Sequence, residues 1–138
     1  GYEAAMAELG LAETRVISFG TPPISMKQGG EAVVRLMEQW PEVEAAICVS
    51  DLSAFGAVME CNRRRWNVPE RIAIAGFGDF EISSCCHPAI TTVGVHCYDI
   101  GYRAGDLILR AIEGERMGQP IAAETIITPF EVIARASS

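Results

Sequence analysis

The stretch Arg71-Ile-Ala-Ile-Ala-Gly-Phe-Gly-Asp-Phe-Glu81 decides the fold. Its β-branched and small apolar residues run with almost no polar break, the pattern of a strand covered on both faces in the middle of a parallel sheet. The run stops at Gly76-Phe77-Gly78-Asp79, where two glycines and an aspartate give a tight turn with exposed backbone. Open parallel sheets bind ligands in the crevice at the carboxyl ends of their strands, so the motif predicts a binding edge.

Upstream, Glu44-Ala-Ala-Ile-Cys-Val-Ser50 is a second buried-strand pattern, and it too ends in a small polar pair, Ser50-Asp51. Either residue can cap a helix over 52–66 that carries Leu52, Phe55, Val58 and Met59 and closes on Arg63-Arg64-Arg65. Earlier still, residues 2–9 read as a short helix stopped by Gly10, and Val16–Phe19 as a first strand. Gly20-Thr-Pro-Pro-Ile-Ser25 is a rigid loop whose Ser25 can cap a helix over 26–40, with Val33, Leu36, Met37 and Trp40 at helical spacing and Pro41 as its stop.

Downstream, Phe80–Cys86 predicts a short helix closed by His87-Pro88, and Ile90–Val95 a fourth strand. A helix over 98–113 follows, with Ile100, Ala104, Leu107, Ile108, Ala111 and Ile112 as its apolar stripe, and Gly118-Gln-Pro120 ends that unit. Residues 124–128 and 130–134, split by Pro129, read as one or two peripheral strands. Strands alternating with helices through short connections predict right-handed crossovers and an α/β fold: a parallel sheet flanked by helices in three layers. Phe19-Gly20-Thr21, Val49-Ser50-Asp51 and Phe77-Gly78-Asp79 then line up on one edge.

The chain of 138 residues has the length of one domain, and with 49% hydrophobic residues it can bury a substantial core. A formal net charge of -7 argues against a nucleic-acid surface within these residues. The three consecutive arginines read as a solvated helix end, where positive charge suits the dipole. No apolar run approaches the ~20 residues that span a bilayer. The amino terminus does not read as a signal peptide; it opens inside a helical pattern, which predicts a longer parent chain. Five cysteines, an odd number in mostly apolar surroundings, predict reduced thiols rather than a disulfide framework.

Enzymatic motifs are lacking. Gly76-x-Gly78-x-x-Glu81 has neither the third glycine of a dinucleotide fingerprint nor a long helix after it, and no P-loop, nucleophile elbow or His-Glu-x-x-His is present. Cys85-Cys86-His87 and His96-Cys97 fit none of the common zinc spacings, so neither metal nor other cofactor is expected. Cys48 and Cys61 occupy apolar positions where cysteine acts as a small hydrophobe. Asp51, Asp79 and Glu81 are the carboxylates of the predicted edge. Catalysis needs a base or nucleophile with an orienting partner, and no histidine is expected there, so recognition is the simpler inference.

Ser50-Asp51-Leu-Ser-Ala-Phe-Gly56, then Val68-Pro69 through Gly76-Phe-Gly-Asp79, then Ser84-Cys85 and Pro88-Ala-Ile-Thr91-Thr92-Val93, and finally Gly101, Ala104 and Leu107 resemble, in order, the effector-binding region of the LacI/GalR family of bacterial transcriptional repressors. The resemblance implies the carboxyl-terminal part of a two-lobed core, a partial periplasmic-binding-protein-like I fold. Residues 1–90 and 124–138 would form one lobe, and 91–123 a crossover segment packed in another. It implies a cytoplasmic homodimer or higher homo-oligomer with a small-molecule effector (a sugar or sugar acid), DNA bound only through a helix-turn-helix domain elsewhere, and no membrane partner.

Carried over, the effector edge comprises Thr21, Ile24, Ser25, Ser50, Asp51, Phe77, Gly78 and Asp79. The dimer surface takes in Phe55 and Met59 on the helix over 52–66, with Ser84, Cys85 and Cys86. Ser50 stands where the family often has Asn or Gly, Ile24 or Ser25 where an aromatic wall is common, Gly78 where many sugar binders have Asp, and Val95 where some have Gln. Removing a carboxylate relieves repulsion of an anion, and Gly78 exposes backbone N–H groups, which points to a sugar acid and to gluconate-utilisation repressors. The helix over 98–113 is expected to dock on a neighbouring chain or fold back on its own sheet. The competing readings are a periplasmic-type sugar receptor and a small doubly wound α/β enzyme.

Overall fold

The computed structural model describes residues 1–138 except Ala12, Gly20, Pro22 and Pro120. The expected Gly20 strand end, the Pro22 part of the loop and the Pro120 stop therefore lie outside the described residues. The element order is α1 (Tyr2–Glu8), α2 (Met26–Gln39), β1 (Ala45–Ile47), α3 (Asp51–Arg64), β2 (Ala73–Gly78), α4 (Glu81–Cys85), β3 (Thr91–Val95), α5 (Cys97–Arg116) and β4 (Phe130–Ile133). The strands form one sheet in the order β1-β2-β3-β4. The first three run parallel, and β4 returns antiparallel beside β3.

Two capping boxes start the principal helices. Ser25 and Gln28 exchange side-chain and backbone hydrogen bonds at the head of α2, and Ser50 and Ser53 do the same at α3. At the other end of α3, Arg65 turns left-handed (φ 59) and Arg63 and Arg64 reach back to Glu60 at 2.5 and 2.6 Å. Those two guanidinium hydrogen bonds, Arg63 first, hold the Glu60 carboxyl below its ordinary range. The arginine cluster thus closes a helix.

α2 and α3 meet along a seam with almost no side chain in it. A Cβ on Gly56 would lie 1.8 Å from the Met26 carbonyl oxygen, and one on Gly29 would lie 2.1 Å from that of Ser53. Beneath this seam sits the core: Val33 and Met37 of α2, Ala54, Ala57, Val58 and Cys61 of α3, and Ile72, Ile74 and Ile90 from the sheet region. Each of the larger aliphatic side chains there contributes about 1.5–3 kcal/mol on burial.

The sheet differs from expectation in its second face. β2 alternates in burial instead of being covered on both sides: Ile74, Gly76 and Gly78 are buried, whereas Phe77 is 46% exposed. The reason is that α3 packs on the Ile74 side, while Ile47, Val49, Phe77, Phe130 and Val132 remain exposed. Within this chain the three-layer plan is filled on one side. Val16–Phe19 forms no strand. β1 ends the sheet on that side, and the segment is held by side chains, with Arg15 paired to Glu42 at 2.7 Å and Arg35 4.5 Å from the centroid of the Phe19 ring. Only the second of the two tail runs becomes a strand, and Ile127 ahead of Pro129 is exposed.

α5 buries no residue, so the expected fold-back on its own sheet does not occur. Its tie to the rest of the described chain is local, through Arg110 to Glu124 at 3.2 Å. Thr91–Val95, the start of the expected crossover segment, is a sheet strand paired with β2 and β4, and α5 follows it from Cys97.

Candidate functional site

Register brings the site together. β2 and β3 are parallel with Gly78 opposite Gly94, so the residues after each glycine emerge at the same sheet edge. There they line an open cleft of about 410 Å³ with Gly78, Asp79, Phe80 and Glu81 from one strand end, Gly94, Val95, His96 and Cys97 from the other, and Glu131 from β4. Of the residues expected at a binding edge, Gly78 and Asp79 line this cleft. Both have positive φ, 122 for Gly78 and 54 for Asp79, and a Cβ at Gly78 would approach the Phe80 ring to 3.2 Å. Left-handed backbone is costly for a residue with a side chain, so Asp79 must be held there by its contacts.

Those contacts come from the far end of the chain. Arg135 Nη2 donates to Asp79 Oδ1 at 2.6 Å. Its Nη1 donates to Ser83 Oγ and to the Ile90 carbonyl oxygen, both at 2.9 Å.

Asp51 has a different place from the one sequence suggests. It is fully buried, accepting from Thr92 Oγ1 at 2.5 Å and from the Phe80 backbone N–H at 2.6 Å. Gly76 makes room for it, because a Cβ there would stand 2.2 Å from Asp51 Oδ1. With both oxygens engaged, Asp51 fixes the start of α3 to the turn after β2 and to β3. Of the two residues expected to cap α3, Ser50 does so, accepting from the Ser53 N–H at 3.3 Å.

Thr21, Ile24, Ser25, Ser50 and Phe77 do not line this cleft. Ser25 caps α2, accepting from the Gln28 N–H at 3.2 Å; Thr21 is exposed and Ile24 half-buried. Phe77 is exposed on the open sheet face. On the predicted dimer surface, Met59, Ser84 and Cys85 are exposed and Phe55 is half-buried at a groove of about 650 Å³ along α2 and α3. Cys86 points inward, donating to the Pro88 carbonyl oxygen at 3.3 Å, and burial pushes its thiol up.

Sequence reasoning missed His96, Glu131 and Arg135. The expectation that no histidine approaches the edge is wrong: His96 follows β3 by one residue and lands in the cleft because β3 lies in register beside β2. That pairing was readable only once the strand neighbours were known. Among the described residues no hydrogen bond joins His96 to Cys97 or to a carboxylate, and no group of three or more His, Cys, Asp or Glu is placed to hold a metal ion. No helix of the described residues is long and apolar enough to cross a membrane.

A mostly parallel sheet with an open cleft at the carboxyl ends of β2 and β3 defines an α/β fold of the class whose ligands bind at that edge. Residues 1–138 match the periplasmic binding protein-like domain over their whole length, and the chain belongs to that family. Its relatives there are LacI-type transcriptional regulators. The chain is 30% identical over all its residues to the HTH-type transcriptional regulator GntR of Pseudomonas aeruginosa, covering 39% of that protein. It is 30% identical to the ribose operon repressor of Bacillus subtilis over 97% of this chain and 40% of the repressor. A crystal structure of a LacI family transcriptional regulator from Silicibacter pomeroyi superposes with a TM-score of 0.85 at 34% identity, covering 99% of this chain and 47% of the other. The chain thus spans about two fifths of the length of these curated relatives.

Proposed function

We propose that this chain is the effector-sensing and dimerisation part of a cytoplasmic LacI-type repressor, binding a sugar or sugar acid and thereby modulating DNA binding by a helix-turn-helix domain outside these residues. The observation that carries the reading is the open cleft at the ends of β2 and β3, lined by hydrogen-bonding groups and lacking an opposite wall among the described residues. A second lobe closing over it, with α5 packed there, would complete a site and bury the stripe that α5 now exposes. Ligand binding between lobes then shifts the dimer between DNA-competent and DNA-incompetent arrangements, a population shift without chemistry. Thr21, Ile24, Ser25, Ser50 and Phe77 extend the proposed edge beyond the cleft, and Asp51 serves it by positioning. Phe55, Met59, Ser84 and Cys85 form the proposed dimer surface, with Cys86 supporting it from inside.

Gluconate is the proposed effector, supported by the resemblance to gluconate-utilisation repressors, by the likeness to regulators named GntR, and by the Gly78 backbone at the cleft. A neutral sugar is the second reading, favoured by Asp79, Glu81 and Glu131, three carboxylates that accept hydroxyl hydrogen bonds and repel an anion. Titration calorimetry on the full-length protein with gluconate, glucose and ribose separates them. Gluconate binding at least about tenfold tighter, roughly 1.4 kcal/mol, supports the first. Binding of neutral sugars alone establishes the second, and binding of none overturns the sugar-effector reading.

A further inference from the structure

Among the described residues, Arg135 is the side chain that joins the cleft to α4 and to the entry of β3. Its guanidinium reaches Asp79 at the mouth of the cleft, Ser83 inside α4 and the Ile90 carbonyl ahead of β3. Ser83 is itself fully buried and bound in the same knot, its hydroxyl donating to the Phe80 carbonyl at 2.7 Å and its carbonyl accepting from the Ile90 N–H at 2.7 Å. The planar fork of an arginine can hold three acceptors at fixed angles, which a single ammonium cannot do.

The backbone carrying Arg135 is pinned in turn. Its N–H donates to Thr91 Oγ1 at 2.8 Å. Two residues on, buried Ser137 accepts from the Thr91 N–H at 2.8 Å and donates to the Ile74 carbonyl at 2.5 Å, while its own carbonyl accepts from the Ile74 N–H at 2.8 Å. The tail is thereby stitched to β2 and β3, and the guanidinium, with a side chain only 18% exposed, is delivered to Asp79.

We infer that Arg135 is the positioning residue of the effector cleft, presetting the Asp79 carboxylate and binding it to α4 so that a ligand on Asp79 acts on α4 chiefly through the guanidinium. Its 2.6 and 2.9 Å bonds are much shorter than the direct 3.5 Å bond from Ser83 Oγ to Asp79 Oδ1. This inference rests on the proposed effector function. Asp79 touches the ligand, and Arg135 acts through it. Left-handed Asp79 is held in its place by a charge-assisted bond. Because the same cation holds Ser83, the turn after β2 and the helix behind it respond together.

The test uses the full-length protein, with hydrogen exchange read over residues 79–86 and effector affinity read by calorimetry against gluconate and ribose. In wild type the bound effector slows exchange across 79–86. Arg135→Gln raises basal exchange there on the order of tenfold, weakens effector binding by a similar factor, and abolishes the ligand-dependent protection of α4, while exchange along the α2–α3 seam stays unchanged. Arg135→Lys restores part of the affinity through its charge on Asp79. Equal affinity and equal protection in wild type and Arg135→Gln would overturn the inference. Should Arg135→Gln lose protection everywhere and prove unfolded, Ser83→Ala decides: it removes the hydroxyl that accepts from Arg135, together with that hydroxyl's own bonds to the Phe80 carbonyl and Asp79, and ligand-dependent protection of α4 that stays as in wild type refutes the coupling. If wild type binds neither ligand, the effector reading fails, while the basal exchange of Arg135→Gln still shows whether Arg135 holds the turn.

Discussion

Both carboxylate oxygens of Asp51 are occupied inside the chain, and the two donors differ in what they tolerate. The Phe80 N–H can only donate, whereas the Thr92 hydroxyl can turn and accept. In Asp51→Asn the new side-chain amide can therefore present its oxygen to Phe80 and its NH₂ to Thr92, so the variant loses only the charge assistance, about 1–2 kcal/mol. Asp51→Ala orphans a buried N–H and a buried hydroxyl and costs about 3 kcal/mol or more. Urea midpoints of the two variants should fall in that order; equal losses would mean that the carboxylate charge itself is essential. The thiols give a second prediction at this scale. Burial, with Cys61 nearby, pushes Cys48 up to about 12, and burial, with Glu60 nearby and Arg71 opposing, pushes Cys61 up to about 11. Their raised values stabilise the fold fully below the ordinary thiol value of 9.0, and that stability is lost as pH rises through 9.0 towards 11 and 12. Alkylation at pH ~8 with mass-spectrometric readout should modify exposed Cys85 and Cys97 in the folded chain and leave Cys48 and Cys61 untouched until unfolding.

Among the elements, α2 and α3 matter most because they hold the Ser50–Asp51 corner against the sheet. Gly56→Ala would raise intrinsic helix propensity by about 1 kcal/mol, yet the added Cβ meets backbone at 1.8 Å, which no side-chain rotation relieves. The overpacking cost of about 1–3 kcal/mol or more wins, and calorimetry should show a lower Tm; an unchanged or higher Tm would mean that the seam opens freely. These helices were legible from sequence because their signals are local: Ser25 and Ser50 cap them and apolar residues recur at helical spacing. β2 was legible as well, from its unbroken apolar run and its glycine stop. What sequence concealed was relational. Val16–Phe19 has the residues of a strand but no strand beside it among the described residues, and His96 reaches the cleft only because Gly94 pairs with Gly78. Arg135 lies 56 residues from Asp79 in an unremarkable tail, and no spacing rule joins an arginine to a carboxylate at that separation. Asp51 was found by its place after a strand, but the same rule pointed it at a ligand when Thr92 and the Phe80 N–H hold it inside.

At the scale of the whole molecule, the apolar surface is distributed unlike that of a self-sufficient domain. One sheet face presents Ile47 at 75% exposure, Val49 at 71%, Phe130 at 69% and Val132 at 70%, and β1 adds an edge with no ladder partner among the described residues. α5 carries a second surface, with Ile108 60% and Leu109 67% exposed and no buried residue along its length. Contiguous apolar area of this kind, next to an unpaired strand edge, drives association in water. The 138-residue chain produced alone should therefore bind a hydrophobic dye and sediment as oligomers whose size grows with concentration. Ile47→Lys with Val132→Lys, both on the open face and away from the core, should shift the population towards smaller species, down to the proposed dimer, while far-ultraviolet circular dichroism stays unchanged. Ile108→Lys with Leu109→Lys separates the contribution of the helix from that of the sheet. If both pairs are needed to remove species larger than the proposed dimer, two surfaces drive association; if the α5 pair alone suffices, the helix docks on a neighbouring copy and the sheet face is inert. A wild-type chain that stays monomeric and binds no dye would contradict the exposed arrangement of both surfaces.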